Sequence, residues 1–184
     1  MNNEPFLTDV KTLRQRARQH IEEGAITASY GGDTATAVKV LNDALATEIV
    51  CVLRYKRHYF MAKGIHAAPV AAEFLEHAND EQAHADRIAE RMVQLGGAPN
   101  LSPEGLLTRS HTEYVDAHDQ LGDMIRENLV AERIAVDSYR EIATYFAAFD
   151  STTRKMIEDI QAEEEEHADD LAELLQGLPK DIKR

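Results

Sequence analysis

The segments Asp80–Glu90 (DEQAHADRIAE) and Glu163–Glu173 (EEEEHADDLAE) contain one acidic pattern twice. In each copy Glu-x-x-His is followed by Ala-Asp, and the second copy lies 83 residues after the first, from Glu81 to Glu164. Residues i and i+3 share a face of an α-helix, so each Glu and its His can reach a common point. The repeated pair therefore predicts two equivalent helices that each present a carboxylate and an imidazole.

The repeat also extends upstream of both copies. ALATEIVCVLRYKR (44–57) resembles NLVAERIAVDSYRE (128–141) when Glu48 is aligned with Glu132, at an offset of 84. The tyrosines seven residues further on align as well, Tyr55 with Tyr139. The repeated unit is thus a helix with a central Glu and a later Tyr, followed by a helix with Glu-x-x-His. Internal duplication of a helical hairpin is the simplest origin.

Capping and helix-breaking residues divide the chain into four long helical segments. Apolar residues recur there at the helical period, and no region alternates at period two as a half-buried strand does. The segments begin near Asp33 or Thr34, Pro69, Thr112, and Asp150 or Ser151, and they end near Gly64, Gly96-Gly97, Phe149 and Gly177. Two shorter helices are expected, one from Thr8 or Asp9 to about Glu23 and one capped by Ser102 in the link between the hairpins.

These segments predict an all-α fold. The expected architecture is an antiparallel four-helix bundle with a long crossover between two helical hairpins, plus an extra short N-terminal helix. We expect an N-terminal extension (1–33), the bundle (34–177) and a C-terminal tail (178–184). A chain of 184 residues is long enough to bury a substantial single core.

Six side chains are candidate metal ligands because they fall near one level of this bundle. Glu48 lies about as far before the first hairpin turn as Glu81 lies after it, and Glu132 and Glu164 are placed similarly about the second turn. Four carboxylates and two imidazoles suit two first-row divalent cations. Without metal, buried carboxylates would repel each other and take up protons. The predicted ligands are Glu48, Glu81, His84, Glu132, Glu164 and His167.

Residues close to these ligands allow two interpretations. Tyr55 and Tyr139 either hydrogen-bond a ligand or donate electrons, or they are ordinary buried tyrosines. Cys51, one turn from Glu48, is interpreted as a small core residue rather than a redox group.

Other acidic and imidazole side chains are interpreted as surface groups. Within Glu163–Glu166 only Glu164 has the register of a ligand, and the other three acids are expected mostly to face solvent or a cavity wall. Five further histidines have no paired spacing, and most of them are expected at the surface: His58, His66, His77, His111 and His118.

Composition limits the function classes. The net charge of −13 with 43% hydrophobic residues suits a soluble globular protein, and it argues mildly against general nucleic-acid binding and for cation handling. The single cysteine rules out an internal disulfide framework and fits a reducing compartment. No apolar run approaches the roughly 18–20 residues of a membrane span, and the N-terminal sequence has no apolar signal core. We therefore expect a cytoplasmic protein with no membrane partner.

From residue 34 to 177 the chain resembles ferritin-like proteins, in particular bacterioferritins and Dps-like proteins with a bacterioferritin-type site. Tyr55 and the six predicted ligands carry the resemblance. It implies a ferroxidase with two iron ions per subunit, for which manganese or zinc can substitute. It also implies a hollow homo-oligomeric shell, in which Fe(II) oxidised by O₂ or H₂O₂ is stored as ferric mineral. One metal would be held by Glu48, Glu81 and His84 and the other by Glu132, Glu164 and His167, with Glu81 and Glu164 as bridges.

Several features depart from these relatives or refine the comparison. Bacterioferritins have a haem-binding Met where this chain has Gln82, so no haem is expected. Only LPKDIKR follows Gly177, too little for the fifth helix of 24-subunit shells, whereas the 97–112 link has room for the small helix of 12-subunit shells. A dodecamer is therefore favoured, with a 24-mer left open. By analogy Glu76 and Asp80 could bind iron on the inner shell surface, although ordinary solvated acids are the favoured interpretation.

Two alternative functions stay open at this point. The first is a di-metal peroxidase, catalase or oxygenase on the same scaffold. The second is a DNA-protecting Dps, for which the only support is the basic stripe of Lys11, Arg14 and Arg18 on the predicted first helix. For that stripe we favour a solvated face beside the apolar residues Val10, Leu13, Ala17 and Ile21.

Overall fold

The structure, a computed structural model, describes residues 8–116 and 120–179. All regular elements within these residues are helical, which confirms the predicted all-α class. They are α1 (Val10–Arg16), a 3-10 turn (Ile21–Glu23), α2 (Thr34–Met61), α3 (Ala67–Gln94), α4 (Leu106–Arg109), α5 (Leu121–Phe146) and α6 (Ser151–Gly177).

The four long helices form two hairpins, in which α2 packs along α3 and α5 packs along α6. The hairpins meet through α2 against α5 and α3 against α6, and the short α4 packs on α2. Among the described helices, none has a stretch both long and apolar enough to cross a bilayer.

Local signals set most ends of the long helices. The Asp33 carboxylate accepts a hydrogen bond from the Thr36 amide at 3.0 Å and caps α2. Gly96 has φ +75°, a conformation that glycine adopts without strain, and the chain leaves α3 there as predicted. Pro69 lies in the first turn of α3, where its missing N–H costs nothing.

Asp150 joins the cap of α6 to a buried ion pair. Its Oδ1 accepts from the Thr153 amide at 2.8 Å, and both carboxylate oxygens accept from Arg91 Nη2 at 2.9–3.0 Å. The Tyr30 hydroxyl also donates to Oδ2 at 3.2 Å. This single side chain therefore ties the start of α6 to α3 and to the loop before α2.

Replacing Asp150 with alanine is expected to lower the free energy of unfolding by about 3–5 kcal/mol, because it leaves a buried guanidinium unpaired and removes a cap. Urea unfolding of the metal-free protein measures this loss. Asp159→Ala is the matched control, since Asp159 lies on the same helix with a side chain 43% exposed, and it should cost less than about 1 kcal/mol. Equal losses in the two variants would contradict this role for Asp150.

The N-terminal helix is shorter than predicted. Asp9 caps α1 as expected, with Oδ1 accepting from the amides of Lys11 and Thr12 at 3.0 Å. The helix ends at Arg16 instead of Glu23, and four residues later His20 adopts the left-handed conformation (φ +50°), so no continuous α-helix reaches Glu23. No residue of α1 is buried, so tertiary packing does not extend this short helix.

The prediction that the third long helix starts at Thr112 is wrong, because α5 begins at Leu121. Thr112 is buried, and its amide donates to the Ser110 hydroxyl at 3.1 Å in a local turn. The guanidinium of Arg54 donates to the carbonyl of Glu113 at 3.0 Å. These contacts hold the segment as a loop against α2. The small helix expected after Ser102 is α4, which begins later than predicted, at Leu106.

Apolar side chains fill the bundle as two clusters, one toward each end. One cluster contains Leu41, Leu45, Ile88, Met92, Phe146 and Ile157, and the other contains Tyr55, Phe74, Met124, Ile125 and Leu171. Along α2 and α3, Glu48 and Glu81 lie between residues of the first cluster and residues of the second. The two clusters therefore enclose a polar layer and keep it away from bulk water.

Candidate metal centre

The structure brings all six predicted ligands together in this polar layer. Glu48 comes from α2, Glu81 and His84 from α3, Glu132 from α5, and Glu164 and His167 from α6. Each is at most 6% exposed. Their ligand atoms form two sets in which every atom lies within 4.8 Å of the others, Glu48–Glu81–His84–Glu164 and Glu81–Glu132–Glu164–His167. Glu81 and Glu164 belong to both sets, which is the arrangement of two bridging carboxylates.

His84 shows how closely the groups converge. Its Nδ1 lies 3.1 Å from a Glu164 oxygen, 3.3 Å from a Glu81 oxygen and 3.5 Å from a Glu48 oxygen. In the other set, His167 Nδ1 lies 3.3 Å from Glu164 and 3.9 Å from Glu81. Both imidazoles thus turn the same nitrogen toward the carboxylates.

The outer nitrogen of each imidazole faces an acid on the opposite hairpin. His84 Nε2 is 2.7 Å from Glu163, and His167 Nε2 is 3.6 Å from Asp80. Glu163 and Asp80 each directly precede a predicted ligand, so the duplication also supplies the supporting acids. The Glu163 carboxylate keeps a proton on His84 Nε2 and leaves Nδ1 available to a metal. The sequence interpretation of Glu163 as mostly solvent-facing misses this contact, since its side chain is only 45% exposed.

The donor set fits a pair of divalent cations. Within residues 8–116 and 120–179, buried oxygens of all four Glu residues and Nδ1 of His167 make no hydrogen bond. Buried polar atoms without partners are costly and rare in folded proteins. Two dications would satisfy these atoms and neutralise four ionised carboxylates.

Burial sets the proton content of the carboxylates. Burial and the nearby Glu81 and Glu164 raise the pKa of Glu48 well above its ordinary value, and the same causes raise the pKa of Glu132. Burial also acts to raise the pKa of Glu164, but the imidazoles of His167 and His84 outweigh it and lower that pKa to about 2. Glu48 and Glu132 are therefore the carboxyls that hold protons in the metal-free centre.

Nearby carboxylates determine the pKa values of the two imidazoles. Burial acts to lower the pKa of His84, but Glu164, Glu48 and Glu81 raise it far above the ordinary value. The pKa of His167 is also raised, because Glu164 and Glu81 outweigh its burial. Both imidazoles thus hold their second proton more tightly than a free imidazole in the metal-free centre.

The two candidate tyrosines lie in unlike surroundings. The Tyr55 hydroxyl donates a hydrogen bond to Glu132 Oε1, and it lies 3.1 Å from Nδ1 of His77. Tyr139 is fully buried, and its hydroxyl makes no hydrogen bond to any described residue. Tyr55 therefore contacts the metal centre directly, whereas Tyr139 has no such contact.

The expectation that most remaining histidines lie at the surface is wrong for His58 and His77, which are 1% and 2% exposed. His77 stacks on His167 with ring centroids 4.0 Å apart. Burial lowers the pKa of His77 to about 3, so its ring is neutral at pH 7. The repeat indicates that position 77 is buried, because at the offset of 83 His77 aligns with Ile160, a fully buried core residue. His118 lies outside the described residues.

The guanidinium of Arg54 is also buried near the centre, which the sequence did not predict. Arg54 is 1% exposed, and its Nε donates to Asn128 at 2.9 Å. Its Nη2 lies 3.5 Å from the sulfur of Cys51. Burial raises the pKa of the Cys51 thiol, so this sulfur stays protonated and packs as a core atom.

Comparison with known proteins agrees with the helical bundle described above. Residues 38–180 match the ferritin-like domain (Ferritin). The chain belongs to the ferritin-like family. The ferritin-like bundle that the sequence resemblance implies is therefore confirmed.

Relatives within the ferritin-like family include bacterioferritins and a DNA-binding protein. The bacterioferritin of Rhodobacter capsulatus is 29% identical over 140 residues, covering 73% of this chain and 80% of its own. A nutrient stress-induced DNA-binding protein of Nostoc is 30% identical over 144 residues, covering 77% and 78%. Among solved structures, the bacterioferritin-related protein of Bacteroides fragilis, described as a dodecameric thioferritin, has a TM-score of 0.75 and 33% identity, covering 78% of this chain and 86% of its own.

Proposed function

We propose that this protein is a ferroxidase that oxidises Fe(II) with O₂ or H₂O₂ and stores the ferric product in a hollow homo-oligomeric shell. The observation that supports this most directly is the pair of buried ligand sets sharing Glu81 and Glu164. A buried dinuclear site holds two Fe(II) ions side by side, so it can pass two electrons to one oxidant. The expected cytoplasmic location is part of the proposal.

Each group of the centre has a role in this proposal. Glu48 and His84 would hold one iron and Glu132 and His167 the other, with Glu81 and Glu164 shared by the two positions. Oxidation of two Fe(II) ions by one H₂O₂ consumes two protons and yields two waters, while one O₂ with two protons yields H₂O₂. The apolar clusters exclude bulk water, and the Tyr55 hydroxyl holds a proton at Glu132, one of the residues that would bind the second iron.

A shell of twelve subunits is the assembly we propose. It is supported by the dodecameric relative from Bacteroides fragilis and by the small helix α4 in the link between the hairpins. Light scattering should give about 250 kDa for twelve chains of 20.6 kDa. A dimer of the same chain would instead favour a small-molecule di-metal enzyme.

Glu81→Ala is expected to abolish the rapid oxidation of Fe(II), because this residue belongs to both ligand sets. The protein is loaded anaerobically with two Fe(II) ions per chain, O₂ or H₂O₂ is then added, and the rise in ferric absorbance is followed. The initial rate should fall by more than about 100-fold, beyond the 10–100-fold loss typical of partners outside the ligand shell.

Glu90→Ala is the control for this experiment, since Glu90 is an exposed acid on the same helix. It should retain the wild-type rate. Circular dichroism and light scattering of both variants separate loss of the site from loss of the fold or shell. A Glu81→Ala protein that is folded, assembled and as fast as the wild type would end the proposal.

A further inference from the structure

A third cluster of ligand-type side chains lies outside the six-residue centre, between α3 and α6. His77 Nε2 is 3.2 Å from a Glu73 oxygen and 3.9 Å from an Asp170 oxygen, and the three ligand atoms all lie within 4.8 Å of one another. Ligand atoms about 2.0–2.2 Å from one cation lie roughly 3–4.4 Å apart. The cluster therefore already has the spacing of a single cation site.

Hydrogen bonding at Nδ1 of His77 leaves its other nitrogen, Nε2, without a proton. The Tyr55 hydroxyl gives its one proton to Glu132, so His77 Nδ1 must donate to the Tyr55 oxygen. A neutral imidazole that donates from Nδ1 carries a lone pair on Nε2. Nε2 is buried and makes no hydrogen bond to the described residues, although it faces two carboxylates. A cation between these electron-rich atoms would relieve their repulsion.

The other half of the duplicated chain lacks this cluster. At the offset of 83, Glu73 aligns with Met156, His77 with Ile160, and Asp170 with Arg87. Two ligands are thus replaced by apolar side chains and the third by a fixed positive charge, which pairs with Glu163 at 3.0 Å. The polar cluster is therefore a property of one half only, and the bundle does not require it for packing.

The cluster is accessible from solvent. Glu73 and Asp170 have side chains 28% and 52% exposed, while His77 is 2% exposed. Both acids line a surface pocket of about 480 Å³, together with Glu173 and His66. Hydrated cations can reach the acids from this pocket without passing through the six-residue centre.

We propose that Glu73, His77 and Asp170 form a third divalent-cation site at the mouth of this pocket. One imidazole nitrogen and two carboxylates suit first-row dications such as Fe(II), Co(II) and Zn(II). The ion bonds to Nε2 of His77, whose opposite nitrogen is linked through Tyr55 to Glu132. The site goes beyond the ferroxidase proposal and does not depend on it.

Crystals of the assembled protein grown anaerobically with Co(II) test this site by anomalous diffraction at the cobalt edge. We expect a peak within bonding distance of His77 Nε2 in the wild type and its loss in both Glu73→Gln and Asp170→Asn. Glu173→Gln is the matched control, because it removes one charge from the same pocket without touching the cluster. In solution, bound Co(II) per chain should fall by one in the first two variants relative to the control.

Three results would overturn the site. They are no peak at Nε2 in crystals whose six-residue centre holds cobalt, a peak that survives Glu73→Gln, and a cobalt bound on the Nδ1 side together with Glu132. The experiment also separates this inference from the proposed function. An empty six-residue centre beside an occupied Nε2 site would count against the ferroxidase proposal alone.

Discussion

Loading the metal-free protein with two divalent cations is expected to release protons, up to about four per chain. Glu48 and Glu132 take up protons more readily than free carboxyls, because burial and neighbouring carboxylates raise the pKa of each. His84 and His167 hold their second proton more tightly than a free imidazole, because the surrounding carboxylates raise the pKa of each. Each of these four groups must lose one proton before it can bind metal.

Charge balance gives the same result. Protons on Glu48 and Glu132 reduce the negative charge buried in the metal-free centre, and two dications would balance four carboxylates in the loaded centre. A buried site requires such compensation. Exchanging protons for dications therefore avoids burying an uncompensated charge.

Calorimetric titration with Co(II) in two buffers of different ionisation enthalpy measures the proton release. Apparent affinity should rise steeply with pH, because fewer protons then remain to be displaced. Glu81→Ala is the control, and its proton release should disappear together with tight binding. Release of fewer than about one proton per chain by a fully loaded wild type would refute the proton assignment.

Glu48→Gln is expected to weaken binding of the ion shared with His84 by at least about 100-fold, because it removes a charged ligand. The ion held by Glu132 and His167 should remain. Cobalt anomalous peaks in the variant distinguish the two positions, and Glu132→Gln should give the mirror-image result. Glu165→Gln is the control, since Glu165 is an exposed acid beside Glu164 and should leave both ions bound. Equal loss of both ions in Glu48→Gln would contradict the division of ligands.

The same variant should stabilise the metal-free protein at high pH. The protonated Glu48 stabilises the fold fully below its unfolded pKa of about 4.3, and this stabilisation is lost as pH rises through the raised folded pKa. Glutamine stays neutral, so the fall in unfolding free energy between about pH 4.3 and the raised folded pKa should become shallower by about 1.4 kcal/mol per pH unit. Urea unfolding of both proteins at a series of pH values from about 4.3 upward measures this difference.

Most of the fold was predictable because its signals are local. Asp33 and Asp150 cap α2 and α6, and Gly96 ends α3, each through contacts within a few residues. The start of α5 was not predictable, because Arg54 of α2 holds the preceding loop through a contact 59 residues away in sequence. The early end of α1 likewise reflects the absence of buried residues in that helix rather than any breaker such as Gly or Pro.

The arrangement of the centre followed from the repeat, but its surroundings did not. Duplication placed the six candidate ligands at one level, because helix spacing and hairpin length fix their heights. The supporting contacts of Glu163 and Asp80 cross between hairpins, and no spacing along one helix reveals them. His77 was misassigned for the same reason, since an isolated histidine has no partner in its own helix.

The unlike surroundings of Tyr55 and Tyr139 make the two sides of the centre chemically different. Tyr55 is one hydrogen bond from Glu132, whereas no hydroxyl of the described residues bonds to Glu48. The two similar hairpins therefore surround the centre with unlike groups: within the described residues, a hydroxyl donor adjoins Glu132 but not Glu48. A reactant bound in the centre would meet this hydroxyl from one side, which would give the reactant a preferred orientation.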